Sequence, residues 1–295
     1  MKHPQLAFGT PRKLPKPTKL AGRVAVLDIA FAGASPTQGF DQVTAPFLRG
    51  LGDRLAVWVD HHDHELHPRY AEDPRFVLTT KAEHGACPEL VTPELVARIG
   101  PVDTICCHSD FDGLASAAKW IRGGVEPYPG CDADARAVDT RLGVTGPIGE
   151  RFDRALRGRP RDQALYGVVV RHLAEGLADG GLWATIDAAA AELAPVEAAT
   201  RRVAERYVID PAGVAIVHVE PGAPRWDKTL LLLLGQERAR VSVVVEAEQV
   251  TVAARFDSGL NFLELLGLSG GMPTRVSVAR AELPKLLRAL RVTEP

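Results

Sequence analysis

Leu55-Ala56-Val57-Trp58-Val59-Asp60-His61-His62 reads as a buried strand that ends on a carboxylate and runs straight into two imidazoles. An unbroken apolar run of this length fits a strand covered on both faces, as in a parallel sheet. The same pattern recurs on either side of it. Val24 to Asp28 (VAVLD) ends in Asp, Val102 to Cys107 leads into His108, and Arg136 to Asp139 (RAVD) is a short run that again ends in Asp. Phe76 to Thr79 is a further short strand. Helical stretches separate these runs, at Thr44 to Asp53, Pro88 to Ile99 and Leu114 to Arg122, so the segment is an α/β unit. Ligands of open parallel sheets bind outside the carboxyl ends of the strands. Asp28, Asp60, the His108 to Asp112 cluster and Asp139 are therefore expected along one edge, although a single strand-terminal Asp is usually a cap or turn residue.

His108-Ser109-Asp110-Phe111-Asp112-Gly113 carries the strongest chemical signal. An imidazole and two carboxylates stand at i, i+2 and i+4, which places them on one side of an extended strand end. Gly113 lets the chain turn into a helix whose N-terminus favours anions. Oxygen ligands with a minority of imidazole suit Mn2+ or Mg2+ better than Zn2+. After Asp60, His61 and His62 are candidates for metal and phosphate contacts, whereas His64 and His67 read as part of a solvated polar loop.

The rest of the chain bounds the answer. With 46% hydrophobic and 24% charged residues, the 295-residue sequence has the material for two soluble domains. No apolar run nears the roughly 20 residues of a bilayer span, and prolines interrupt the N-terminus where a signal peptide would be apolar, so a cytoplasmic location and no membrane partner are expected. The four cysteines lack both C-x-x-C spacing and a disulfide framework. A net charge of −2 gives no global signature of nucleic-acid binding. Residues 1–22 form a basic, Pro-rich tail, read either as solvated or as an arm near phosphate. Residues 23–146 make the α/β domain, 147–208 an Ala- and Leu-rich helical connector, and 209–295 a smaller α/β domain. In this last part strands are expected at Val214 to Val219, Arg240 to Glu246, Val250 to Phe256 and Arg275 to Val278, with helices at Lys228 to Leu234, Asn261 to Leu266 and Ala281 to Leu290.

Asp60-His61-His62 together with His108-x-Asp110-x-Asp112-Gly113 resembles the DHH phosphoesterases, in the form found in the RecJ-type branch. Asp28 and Asp139 match the family's remaining strand-end aspartates. Val250 to Phe256, the helix near Leu263 and Ser269-Gly270-Gly271 resemble the DHH-associated substrate-binding domain. The implied fold is a parallel-sheet catalytic domain joined by a helical connector to a smaller α/β substrate-binding domain. The resemblance implies two divalent ions, Mn2+ ahead of Mg2+, held by Asp28, His61, His108, Asp110, Asp112 and Asp139, with Asp28 bridging. Asp60 would orient a ligand imidazole, His62 would face the phosphate, and Arg255, Gly270 and Gly271 would hold substrate.

Two departures stand out. The His-x-Asp-x-Asp-Gly segment comes after the DHH segment here and before it in the family; the same cluster still forms if the sheet is preserved. The family's Gly-Gly-His turn is Gly270-Gly271-Met272, and Arg275 is a candidate for the lost anion contact. The implied activity is hydrolysis of phosphodiester bonds in short single-stranded oligonucleotides or small nucleotides, because the chain lacks length for the extra single-strand-binding domain of larger RecJ-type enzymes. A phosphomonoesterase or pyrophosphatase, and a non-catalytic nucleotide-binding protein of this fold, are the alternatives. A homodimer is a further arrangement that the resemblance allows.

Overall fold

A computed structural model describes residues 3–33, 38–268 and 272–292. The chain divides into two compact units, Met1–Ala191 and Glu192–Pro295.

The first unit is built on five parallel strands: β1 (Gln5–Gly9), β2 (Val24–Leu27), β3 (Leu55–Asp60), β4 (Phe76–Leu78) and β5 (Thr104–His108), in spatial order β1-β5-β2-β3-β4. Strand residues alternate between two apolar layers. Ala25, Leu27, Val57, Val59, Ile105 and Cys107 face a core shared with helices α3 (Phe111–Ile121), α5 (Pro147–Gly158), α6 (Gln163–Ala174) and α7 (Gly180–Ala191). Val24, Val26, Leu55, Trp58 and Cys106 face the other way, with Phe31 and with Phe47 and Leu51 of α1 (Thr44–Leu51). Trp58 is fully buried, contributes roughly 1.5–3 kcal/mol of apolar transfer energy, and keeps its indole N–H bonded to the Ile29 carbonyl at 2.9 Å. Helix α2 (Pro93–Ile99) begins on the Thr92 hydroxyl, which accepts from Leu95 N at 3.2 Å, and α4 (Cys131–Thr140) follows α3.

The second unit begins with α8 (Leu193–Ala204). It carries a five-stranded mixed sheet of β6 (Val208–Asp210), β7 (Val214–His218), β8 (Val241–Val245), β9 (Gln249–Ala254) and β10 (Arg275–Ala279), arranged in reverse sequence order from β10 to β6. Only β7 and β8 run parallel. Helix α9 (Lys228–Gln236) packs on one face through Leu231 and Leu232, and α10 (Phe262–Leu266) and α11 (Leu283–Ala289) pack on the other through Phe262 and Leu286.

Several expectations change. The N-terminal tail contains β1, which pairs with β5 over its whole length and lies within the first unit. Prolines at 4 and 11 flank it, which an edge strand tolerates because one side of its backbone needs no partner. The connector is not one element: residues 147–191 belong to the first unit and 192–208 to the second. Arg136 to Asp139 lies in α4 rather than in a strand, and the stretch from Pro88 is a short 3-10 turn followed by α2. Strand β6 is an element that the sequence pattern does not reveal. All four cysteines are free and buried, and no described helix is long and apolar enough to cross a membrane.

Candidate metal centre

Strands β5, β2 and β3 are neighbours, so His108, Asp28 and Asp60-His61-His62 emerge side by side at the carboxyl edge of the sheet. The late position of β5 in the sequence does not separate them, because it inserts between β1 and β2. Asp28 follows β2 with φ +59°, in the left-handed region that Asp adopts more readily than most residues. Its amide is tied to the Val59 carbonyl at 2.8 Å, and its side chain is buried.

Beyond His108 the chain does not remain extended. Asp110 caps α3, accepting from Gly113 N at 3.4 Å, and Asp112 sits in the first helical turn. A Cβ on Gly113 would lie 2.7 Å from the His108 carbonyl oxygen and 2.8 Å from its Cβ, so only glycine lets α3 start this close to β5. The two carboxylates therefore converge through a strand-to-helix turn.

His61 Nε2 lies 3.3 Å from Asp28 Oδ1, 3.3 Å from Asp112 Oδ2 and 3.8 Å from Asp139 Oδ2. Its Nδ1 donates to the His84 carbonyl at 2.8 Å, which leaves Nε2 free to coordinate. His108 Nδ1 lies 2.7 Å from Asp110 Oδ2 and 3.5 Å from Asp28 Oδ2. Asp60 holds a different imidazole from the one expected: its Oδ1 accepts from His62 Nδ1 at 2.8 Å, and His62 Nδ1 is 3.9 Å from Asp28 Oδ1.

Three overlapping donor groups result, each with its ligand atoms within 4.8 Å of one another: Asp28–His61–His62, Asp28–His108–Asp110 and His61–Asp112–Asp139. Both oxygens of Asp28, Nε2 of His61 and Nδ1 of His108 are buried and make no well-aligned hydrogen bond, although oppositely charged groups lie 2.7–3.5 Å away. Leaving such atoms unsatisfied costs about 1–3 kcal/mol each, more when charged, and divalent cations in these donor groups would satisfy them. The oxygen-rich donor set fits Mn2+ or Mg2+.

The electrostatics agree with that fit. Burial, reinforced by the charges of Asp112 and Asp110, pushes the Asp28 carboxyl up to about 7 against the pull of His108 and His61. Burial disfavours a charged His61, yet Asp112 and Asp28 outweigh it and push the imidazole up to about 11. Burial also opposes charge on His108, where Asp110 and Asp28 prevail and hold the ring well above its usual range. Burial would raise Asp60, but the His62 ring beside it holds the carboxyl below the usual range.

Asp139 reaches this cluster from α4, where it is bonded to Lys81, a buried residue that the sequence pattern does not single out. A signal for it exists, since Thr79-Thr80-Lys81 follows β4 at the same edge. The His84 carbonyl leaves no trace in the sequence. His64 and His67 are half-buried rather than solvated, with their rings 5.5 and 5.3 Å from that of Phe31. In the second unit, Arg255 is exposed and paired with Asp257 at 3.0 Å, and Arg275 donates to the Thr229 hydroxyl at 3.2 Å. Gly270 and Gly271 lie outside the described residues.

Neither a family model nor a curated protein sequence matches the chain. Among solved structures it is similar to the exonuclease RecJ bound to manganese, at 16% identity and a TM-score of 0.47, covering 92% of this chain and 75% of that one. It is also similar to the pGpG-specific phosphodiesterase PggH from Vibrio cholerae, at 12% identity and a TM-score of 0.43, covering 92% and 97%. A third is RecJ in complex with Mg2+ from Thermus thermophilus, at 18% identity and a TM-score of 0.41, covering 92% and 50%.

Proposed function

We propose that the protein is a metal-dependent phosphoesterase that hydrolyses phosphodiester bonds in short single-stranded oligonucleotides or small nucleotides. The observation that carries this reading is the sharing of donors: Asp28 belongs to two of the three groups and His61 to two, so neighbouring cation positions have ligands in common. Asp28, His108 and Asp110 would hold one ion, and His61, Asp112 and Asp139 a second, with Asp28 between them. Bound divalent ions of this kind activate water and stabilise the leaving oxygen of a phosphate.

The remaining roles belong to the chain itself. Asp60 holds the tautomer and orientation of His62, whose Nε2 is then the ring nitrogen left to act at the phosphate, donating to a phosphate oxygen when the ring is protonated or accepting a proton from the attacking water when it is neutral. The N-terminus of α3 adds backbone dipoles that favour an anion. Arg255, Gly270, Gly271 and Arg275 are further proposed as substrate contacts. Mn2+ as the preferred ion, a cytoplasmic location and pairing into a homodimer complete the reading.

The test is hydrolysis with Mn2+ over dinucleotides, short DNA and RNA oligomers, cyclic dinucleotides, pAp-like nucleotides and pyrophosphate. Turnover of linear oligomers that stops on chelation is the expected result. Turnover of pyrophosphate alone would move the substrate class to phosphoanhydrides. No turnover on any substrate, with the metal bound, would leave a binding protein.

A further inference from the structure

Lys81 is buried at the carboxyl edge of the first sheet, and the chemistry above has no use for it. Its side chain is 1% exposed, and its ammonium donates to Asp139 Oδ2. A buried ammonium persists only where neighbouring negative charge replaces its lost hydration. The carboxylates of this edge supply that charge. The oxygen it holds is not a spare one. Asp139 Oδ2 also lies 3.8 Å from His61 Nε2, and Asp139 completes the donor group with His61 and Asp112. One carboxylate therefore faces two cations, the ammonium and a metal ion. The group Asp28–His108–Asp110 differs here, because among the described residues no lysine or arginine pairs with its atoms.

We propose that Lys81 is an internal competitor at the second cation position: the group Asp28–His108–Asp110 takes a divalent ion first, and His61–Asp112–Asp139 takes one only when Lys81 releases Asp139. The inference rests on the two-position reading of the site and concerns how it fills. An ammonium and a dication on the same carboxylate repel each other at low dielectric, which weakens the second ion until Lys81 moves away. Lysine can do so without backbone movement, because its charge rides on a flexible four-carbon stem. While in place, the ammonium offsets part of the repulsion among Asp28, Asp112 and Asp139. The metal-free site thereby stays folded and ready.

The test is calorimetric titration of the full chain, stripped with chelator, with Mn2+, alongside elemental analysis of the loaded protein. For the wild type we expect one tight ion and a second bound at least about tenfold more weakly. Lys81→Met should bind two ions with affinities within a few-fold of each other. Its melting temperature should fall in chelator and recover with Mn2+ beyond the recovery of the wild type. Two ions of equal affinity in the wild type would overturn the proposal, and that measurement needs no variant to fold. Identical titrations of wild type and Lys81→Met would overturn it as well. A wild type that binds no Mn2+ would overturn both this proposal and the phosphoesterase reading, whereas the other two failures leave the phosphoesterase reading standing.

Discussion

In the second unit the buried hydroxyls have partners. Tyr207 bonds to Ser242 at 2.9 Å and to the Leu231 carbonyl at 2.8 Å, Thr251 to Ser277 at 2.9 Å, and Thr200 to the Val196 carbonyl at 2.7 Å. In the first unit the carboxyl edge of the sheet buries both oxygens of Asp28 and ring nitrogens of His61 and His108 without a well-aligned one. Among the described residues, every buried side-chain polar atom lacking a partner lies in the first unit. Both units have apolar cores on both sheet faces, so the contrast does not come from poor packing. It shows that folding and chemistry make separate demands. The second sheet is complete as protein, whereas the first carries a cluster of donors that a cation would satisfy.

Substitutions can break or sharpen this contrast. The largest effect is expected from Asp28→Ala, which removes the shared ligand: activity should fall on the order of 10³-fold and stabilisation by Mn2+ should vanish. Retention of both in steady-state kinetics and thermal melts would refute the assignment. Asp60→Asn should leave the fold intact and lower kcat about 10–100-fold, because an amide holds His62 less well. An unchanged kcat would remove His62 from the chemistry. Gly113→Ala should cost roughly 1–3 kcal/mol in denaturant unfolding, since the new methyl meets the His108 backbone and not a movable side chain.

A smaller effect concerns pH. Asp28 keeps its proton to about 7 when folded but only to the ordinary carboxylate value when unfolded, so metal-free stability falls as pH rises across that interval. His61, raised to about 11, contributes stability that is full below the ordinary imidazole value and is lost as pH climbs toward 11. Both slopes run the same way, and metal binding requires both groups deprotonated. The rise in melting temperature caused by Mn2+ should therefore be larger at about pH 8 than at about pH 6; equal shifts would contradict the donor set. The smallest effect belongs to the second unit. Arg255→Ala should leave the melting temperature unchanged, because its pair with Asp257 is exposed, and should raise KM about fivefold if the side chain contacts substrate.

The sequence discloses the strands whose both faces are apolar. Val24 to Leu27, Leu55 to Asp60 and Thr104 to Cys107 stand out because full burial leaves unbroken hydrophobic runs, and the residues just beyond them are the ones brought together. Gln5 to Gly9 is hidden because an edge strand is only partly buried and its composition is that of a tail. Asp139 sits in a helix where the pattern suggests a strand, since four residues are too few to separate the two by periodicity. Lys81 is marked only by its place after β4, and no local pattern encodes the His84 carbonyl, a backbone oxygen that fixes a distant ring. The exchange of Asp60's expected partner from a ligand imidazole to His62 has the same origin.

The insertion of β5 between β1 and β2 also bears on how the molecule comes into being. Gln5 pairs with Thr104, so β1 has no neighbour in the sheet until about a hundred further residues have been made. During synthesis β2, β3 and β4 can associate first, while β1 waits with an exposed backbone and β2 offers an unfilled edge. Such non-local parallel pairing is intrinsically slow and prone to aggregation. The strand that bears His108 thus closes the gap last, and the donor cluster assembles in the same step that pairs the open strand edges.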